Sequence, residues 1–220
     1  AKALMPGVSS HAAIQANPAY PGNWVVLGDF ERLNNNPQAA VEAYSTALKQ
    51  NPAKLAKLDA LFGRAQVFAS SAKFDQAQSD LETLNKIDAN FYGTHFLTAV
   101  LHYAKGETDV ALNSVQQALK ANAGFRPAQL LYAVLQYDKK SYQQAAKVLS
   151  NYLQQVPGHL EARKLLAATY LKLDQPERTL ELLKPYIAAG KADAQVLTLA
   201  GEVYLEGDNP GSARTFFEKA

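Results

Sequence analysis

The sequence predicts an all-α chain, an α-α solenoid of about six helix-turn-helix repeats, and three observations carry that prediction. First, the sequence matches itself at a shift of 34 residues, a period that marks stacked supersecondary units. Units starting at Pro21, Leu58, Tyr92, Arg126, Leu160 and Ala194 are spaced by 37 residues once and by 34 thereafter. Second, two columns of this register are small. The eighth position reads Gly28, Ala65, Ala99, Ala133, Ala167 and Gly201, and the twentieth reads Ala40, Ala77, Ala111, Ala145, Thr179 and Ala213. Two helices approach closely only where side chains are short, so these columns place the crossing of helix A with helix B in each unit. Third, only 12 glycines and 10 prolines punctuate a chain that is 48% hydrophobic. The stretches between them are dominated by alanine, leucine, glutamine and lysine, which lose little freedom on entering a helix.

The elements follow in order. Residues 1–20 read as the tail of a preceding repeat, and residues 21–220 as the array. In the first repeat helices are expected near 23–34 and 37–50, and in the second near 58–72 and 74–87. The three extra residues near 55–57 are expected to lengthen helix A of the second repeat or the loop before it. The third repeat gives 92–105 and 108–121, the fourth 126–139 and 142–155, the fifth 160–173 and 176–188, and the sixth 194–206 and 210–219. Pro37, Pro176 and Pro210 share position seventeen, where the first turn of helix B tolerates a residue without an N–H. Asn36 and Asn209 stand before two of them as N-caps, and Pro52 and Pro157 close their units. Pro185 lies inside a helix B and is expected to kink or shorten it. Leu27, Tyr132 and Leu166 at position seven form the core with Tyr44, Leu81, Val115, Leu149, Leu183 and Phe217 at position twenty-four. The sequence stops at position twenty-seven of its last unit, so it is expected to be an internal piece of a longer array. Apolar surface around Val203, Leu205 and Phe216 would then be open to self-association.

Several function classes are excluded on the same evidence. A net charge of +2 offers little attraction for a phosphate backbone, so nucleic acid is not expected as a partner. The longest apolar run, residues 130–135, is far short of the roughly 20 residues of a membrane span. With no cysteine there is neither a disulfide nor a thiolate metal site. His95 and His102, seven residues apart, lie two turns or about 10 Å from each other, too far for one metal ion. The acidic pairs Glu177/Glu181 and Glu202/Glu206 have the spacing of a solvated helix face. No phosphate loop and no nucleophile elbow is present, so neither a cofactor nor catalysis is expected.

Trp24, Leu27, Gly28, Ala40, Tyr44, Ala47 and Pro52 of the first unit resemble the tetratricopeptide-repeat signature, and the resemblance extends over nearly the whole chain. It implies a right-handed superhelix that binds a protein or peptide in a concave groove lined by the A helices. Positions two, five, nine, twelve and thirteen would face that groove. Its apolar middle would then be Phe62, Phe96, Val100, Tyr103, Leu130, Val134, Tyr137 and Leu171, and its rim Arg32, Lys164, Lys172, Glu202 and Glu206. Phe62, Phe96, Tyr103 and Tyr137 are expected to form one exposed patch suited to an amphipathic helix or extended apolar peptide. The two tyrosines also offer faces on which a sugar could stack. Lysine occurs at position five only as Lys164, and position nine carries no asparagine, so the clamp that co-chaperone members use for a terminal carboxylate is absent.

Residues 162–170 and 194–205 further resemble the tetratricopeptide-repeat lipoprotein of bacterial PEP-CTERM/exosortase systems. That resemblance implies a periplasmic scaffold, anchored at the outer membrane in its full-length form, that serves exopolysaccharide and PEP-CTERM protein export. A cytosolic assembly adaptor and the regulatory arm of a larger enzyme need the same groove and stay open.

Overall fold

The computed structural model describes residues 12–220, and every regular element among them is helical. Helix A and helix B alternate as α1 (Pro21–Leu33) and α2 (Pro37–Lys49), α3 (Lys54–Ser70) and α4 (Phe74–Ile87), α5 (Tyr92–Ala104) and α6 (Thr108–Ala121). They continue as α7 (Arg126–Asp138) and α8 (Tyr142–Gln155), α9 (Leu160–Lys172) and α10 (Pro176–Ala188), α11 (Ala194–Glu206) and α12 (Pro210–Phe217). Residues 12–16 are also helical, and the rest of the expected preceding tail, residues 1–11, lies outside the described residues. The chain divides into two compact units, one ending at Ala123 and one running from Gly124 to Ala220. Within each, an A helix packs against its own B helix and against the next A helix.

The small columns do what their size allows. Position twenty is 0–2% exposed in all six repeats, and position eight is buried throughout. A Cβ on Gly28 or on Gly63 would lie within 2.6 Å of the Tyr44 ring, so hydrogen at both positions lets the first and second A helices close on that ring. The one non-alanine in the twentieth column, Thr179, is accommodated because its hydroxyl donates to the Ala167 carbonyl at 3.1 Å, across the A–B crossing itself. Tyr44, Leu81, Val115, Leu149 and Leu183 are buried as expected, whereas Phe217 is 40% exposed and Leu27 and Tyr132 are half-buried.

The turn from helix A to helix B is built identically in every repeat. Position fifteen, occupied by Asn35, Ala72, Gly106, Lys140, Asp174 and Asp208, has φ between 54° and 78°. The next N–H, at position sixteen, returns to the carbonyl at position eleven at 2.8–2.9 Å in all six cases, as Lys73 does to Phe68 and Gln175 to Tyr170. This pattern ends helix A by filling its orphan carbonyls and reverses the chain in two residues.

Four local expectations are corrected or sharpened. The three extra residues of the second repeat lengthen its helix A, which runs for 17 residues where the other A helices have 13. Lys54 at its start then reaches Asp88 at 3.0 Å and holds that carboxyl below the usual range. Pro185 does not shorten α10, which continues to Ala188, because a proline so near the C-terminus removes only one hydrogen bond. Asn209 caps α12 by accepting from the Ser212 N–H at 3.1 Å, but Asn36 makes no cap bond and donates to Glu31 instead.

Candidate functional site

In the first unit the A helices bring Arg32, Phe62, Phe96, Val100 and Tyr103 to the face predicted for the groove, at different depths. Phe62 and Phe96 were expected in an exposed patch and are instead core residues, each 8% exposed. Phe62 meets Phe91, Tyr92 and Phe96 edge-on, with centroids 5.8–6.2 Å apart. This edge-to-face cluster cements α3 to α5, because successive A helices pack closely enough to enclose position five. Val100 and Tyr103, one and two turns further along α5, are half-buried. Arg32 lies 3.6 Å from Asp29 and donates to the Tyr44 hydroxyl at 3.4 Å, while that hydroxyl donates to Asp29 at 2.7 Å. Burial and then the charge of Asp29 push the Tyr44 phenol above its ordinary value. Asp59 is raised by burial and then by Asp29, and the Tyr92 phenol by burial and then by Asp59.

In the second unit Leu130, Val134 and Tyr137 lie along α7 and are half-buried. The Tyr137 ring meets Tyr142 edge-on at 5.4 Å. Burial, Tyr142 and the charge of Glu202 all raise the Tyr137 phenol, which puts Glu202 within electrostatic reach of the α7 face. Lys172, Glu202 and Glu206 are exposed, as a rim requires. Lys164 and Leu171 are not. Leu171 is 8% exposed in the core between α9 and α11. Lys164 is 5% exposed, with its ammonium 2.7 Å from Glu161 and 2.8 Å from Asp193. Asp193 also accepts the Val196 N–H at 3.0 Å and so caps α11. The bonds to Asp193 and then Glu161 raise the Lys164 ammonium above its ordinary range, and Lys164 in turn lowers Asp193. Lys164 therefore joins two consecutive repeats and has no charge to spare for a ligand.

Two polar arrangements lay beyond sequence reasoning. Arg64 grips Asp80 through Nε at 2.9 Å and Nη2 at 2.7 Å and reaches Ser45 with Nη1 at 2.9 Å. Arg178 stacks 3.9 Å over the Tyr170 ring and donates to that residue's hydroxyl. Of the two histidines weighed for a metal, His102 pairs with Glu107; a further histidine, His159, accepts the Ala162 N–H at 3.1 Å as the cap of α9. His95 is half-buried on α5. Among the described residues no group of three metal-ligating side chains converges, and no helix is long and apolar enough to cross a membrane.

A family model described as tetratricopeptide repeat matches residues 27–82 and 96–159, and a second with the same description matches residues 136–203. No curated protein matches the sequence. Among solved structures, the chain is similar to one in the APC/C hetero-tetramer Cut9–Hcn1, with TM-score 0.79 and 21% identity over 95% of this chain and 41% of that one. It is also similar to PilF of Pseudomonas aeruginosa, with TM-score 0.71 and 14% identity over 91% of this chain and 89% of that one. A third is YrrB, described as a repeat protein with an unusual peptide-binding site, with TM-score 0.53 and 17% identity over 86% of this chain and 96% of that one. This chain thus spans less than half of the first of these, and at such identities the likeness is one of fold.

Proposed function

Because the chain belongs to the tetratricopeptide-repeat family, we propose that it is a non-catalytic scaffold that binds a protein or peptide on its A-helix face. The observation that carries this reading is the half-buried apolar surface left on that face after the aromatic core is subtracted. Each unit carries its own patch, Val100 and Tyr103 in the first and Val134 and Tyr137 in the second. Tyrosine supplies contact area at low entropic cost, and a charged margin fixes orientation. A similar chain with a peptide-binding site supports a peptide or protein as the ligand class. The test is titration of the whole chain with apolar and amphipathic peptides while Val134→Glu and Val100→Glu are compared with wild type. Binding lost in either variant at unchanged melting temperature supports the reading, and peptide binding indifferent to both refutes it. Saturable binding of an oligosaccharide in a parallel titration, or self-association in sedimentation, would be the competing outcome.

The finer proposal is a role in bacterial exopolysaccharide and PEP-CTERM protein export, in a periplasmic protein anchored at the outer membrane. It is supported by the resemblance of residues 162–170 and 194–205 to the lipoprotein of those systems. Fractionation of cells expressing the complete gene tests it. Recovery with the outer membrane is expected, and recovery in the cytoplasm would leave the assembly adaptor or the enzyme arm in its place.

A further inference from the structure

A recess of about 510 Å³ opens in the second unit between α10, α11 and α12. Its inner surface is made by Tyr204 and Phe216, whose rings stack at 5.3 Å with planes 9° apart, and by Leu180 and Ile187 of α10. Tyr204 projects from the side of α11 away from Glu202, so the recess does not belong to the A-helix face. Glu177, Glu181 and Lys184 stand exposed along the α10 lip at helical spacing, and among the described residues none of them makes an ion pair. The recess follows α10 from Glu177 to Ala188, a rise of roughly 16 Å or three turns.

We propose that this trough is a second docking surface, which receives an amphipathic helix of a partner protein whose apolar stripe is flanked by basic residues. The volume fits a few large side chains but not a folded domain, and its length along α10 matches three helical turns. Charge complementarity selects the flank: Glu177 and Glu181, one turn apart, outnumber Lys184, the cation one turn beyond Glu181 that forms an ion pair with neither, so they favour lysine or arginine opposite them and repel an acidic helix. Lys184 stands alone at the other end, where the negative end of a bound helix dipole would be favoured. The partner helix therefore runs parallel to α10, with its N-terminus by Glu177.

The experiment uses the whole chain and two labelled, helix-forming synthetic peptides. Both carry leucine at i, i+3, i+4 and i+7, one flanked by lysines and the other by glutamates, and binding is read by fluorescence anisotropy. The lysine-flanked peptide is expected to bind saturably and about tenfold more tightly than the other. The double charge reversal Glu177→Lys with Glu181→Lys should invert that preference, and because both positions are exposed the fold should be untouched. Leu180→Asp should abolish binding of both peptides. A preference that survives the charge reversal overturns the proposal, as does binding lost in Val134→Glu but kept in Leu180→Asp, which would place the peptide on the A-helix face. Self-association abolished by the charge reversal would make a second copy of the chain the occupant and would likewise overturn it.

Discussion

Arg64 occupies position seven of the second repeat, a column filled elsewhere by Leu27, Tyr132 and Leu166. Its guanidinium stays there because Asp80, 5% exposed, takes two of its donors and Ser45 a third. A buried pair of this kind adds little over an apolar replacement, but removing one member leaves the other charged and unpaired. Arg64→Ala should therefore cost about 3 kcal/mol in urea unfolding, well above the roughly 0.5 kcal/mol of an ordinary surface substitution. The sequence shows Arg64 only as a gap in an apolar column, because its partner lies sixteen residues on, across the A–B turn, where no periodicity points. Asp59 makes the opposite case. Burial and Asp29 raise its carboxyl in the fold, whereas the unfolded chain keeps it near the usual value of about 3.9. Above both the folded and the unfolded values both states are ionised, and the folded state bears the cost. As pH falls, the folded state takes up the proton first and the cost disappears. Asp59→Asn should thus raise the melting temperature at pH 7, with the gain shrinking to nothing below about pH 4, which melts across that range will check.

Among elements, the shared A–B turn is the one feature that repeats in backbone rather than in residue type. Its left-handed residue is glycine only at Gly106, and Asn35, Asp174 and Asp208 are types that tolerate that conformation through their short polar side chains. Ala72 and Lys140 tolerate it less well. Ala72→Gly should relieve the strain and stabilise by up to about 1 kcal/mol, while Ala72→Val, stiffened at its Cβ, should destabilise by more than about 1 kcal/mol in the same thermal melts. The helix pairs themselves were legible because the small columns and the prolines at position seventeen hold phase over the array. Position fifteen was not, since six residues of five types leave no column to read. Core arithmetic at the A–B crossing follows the columns: Leu149→Ala should lose about 2 to 5 kcal/mol, and Ala145→Leu about 1 to 3 kcal/mol by overpacking. Denaturant midpoints for the two test whether the buried face of α8 is the one described.

At the scale of the molecule, the alternation of A and B helices is readable in the sequence, but not how closely each neighbour covers the A helices. Position five illustrates the limit. Phe62 and Phe96 are apolar and at helical spacing, as an open groove would have them, yet α3 and α5 close on each other and enclose both in one ring cluster, so their hydrophobicity marks core. Lys164 was read as rim for the same reason, and two carboxylates from flanking turns had already claimed it. The residues that stay accessible sit at positions nine to thirteen, where α5 presents Val100 and Tyr103 and α7 presents Val134 and Tyr137. These residues are expected to take a protein or peptide ligand, and selection of a random peptide display library on the whole chain checks that. The peptides recovered should share apolar or aromatic residues and bind at least about tenfold more weakly to Val134→Glu or to Val100→Glu, with both variants melting as wild type does. Recovered peptides that bind both variants as tightly as the wild-type chain would contradict the account.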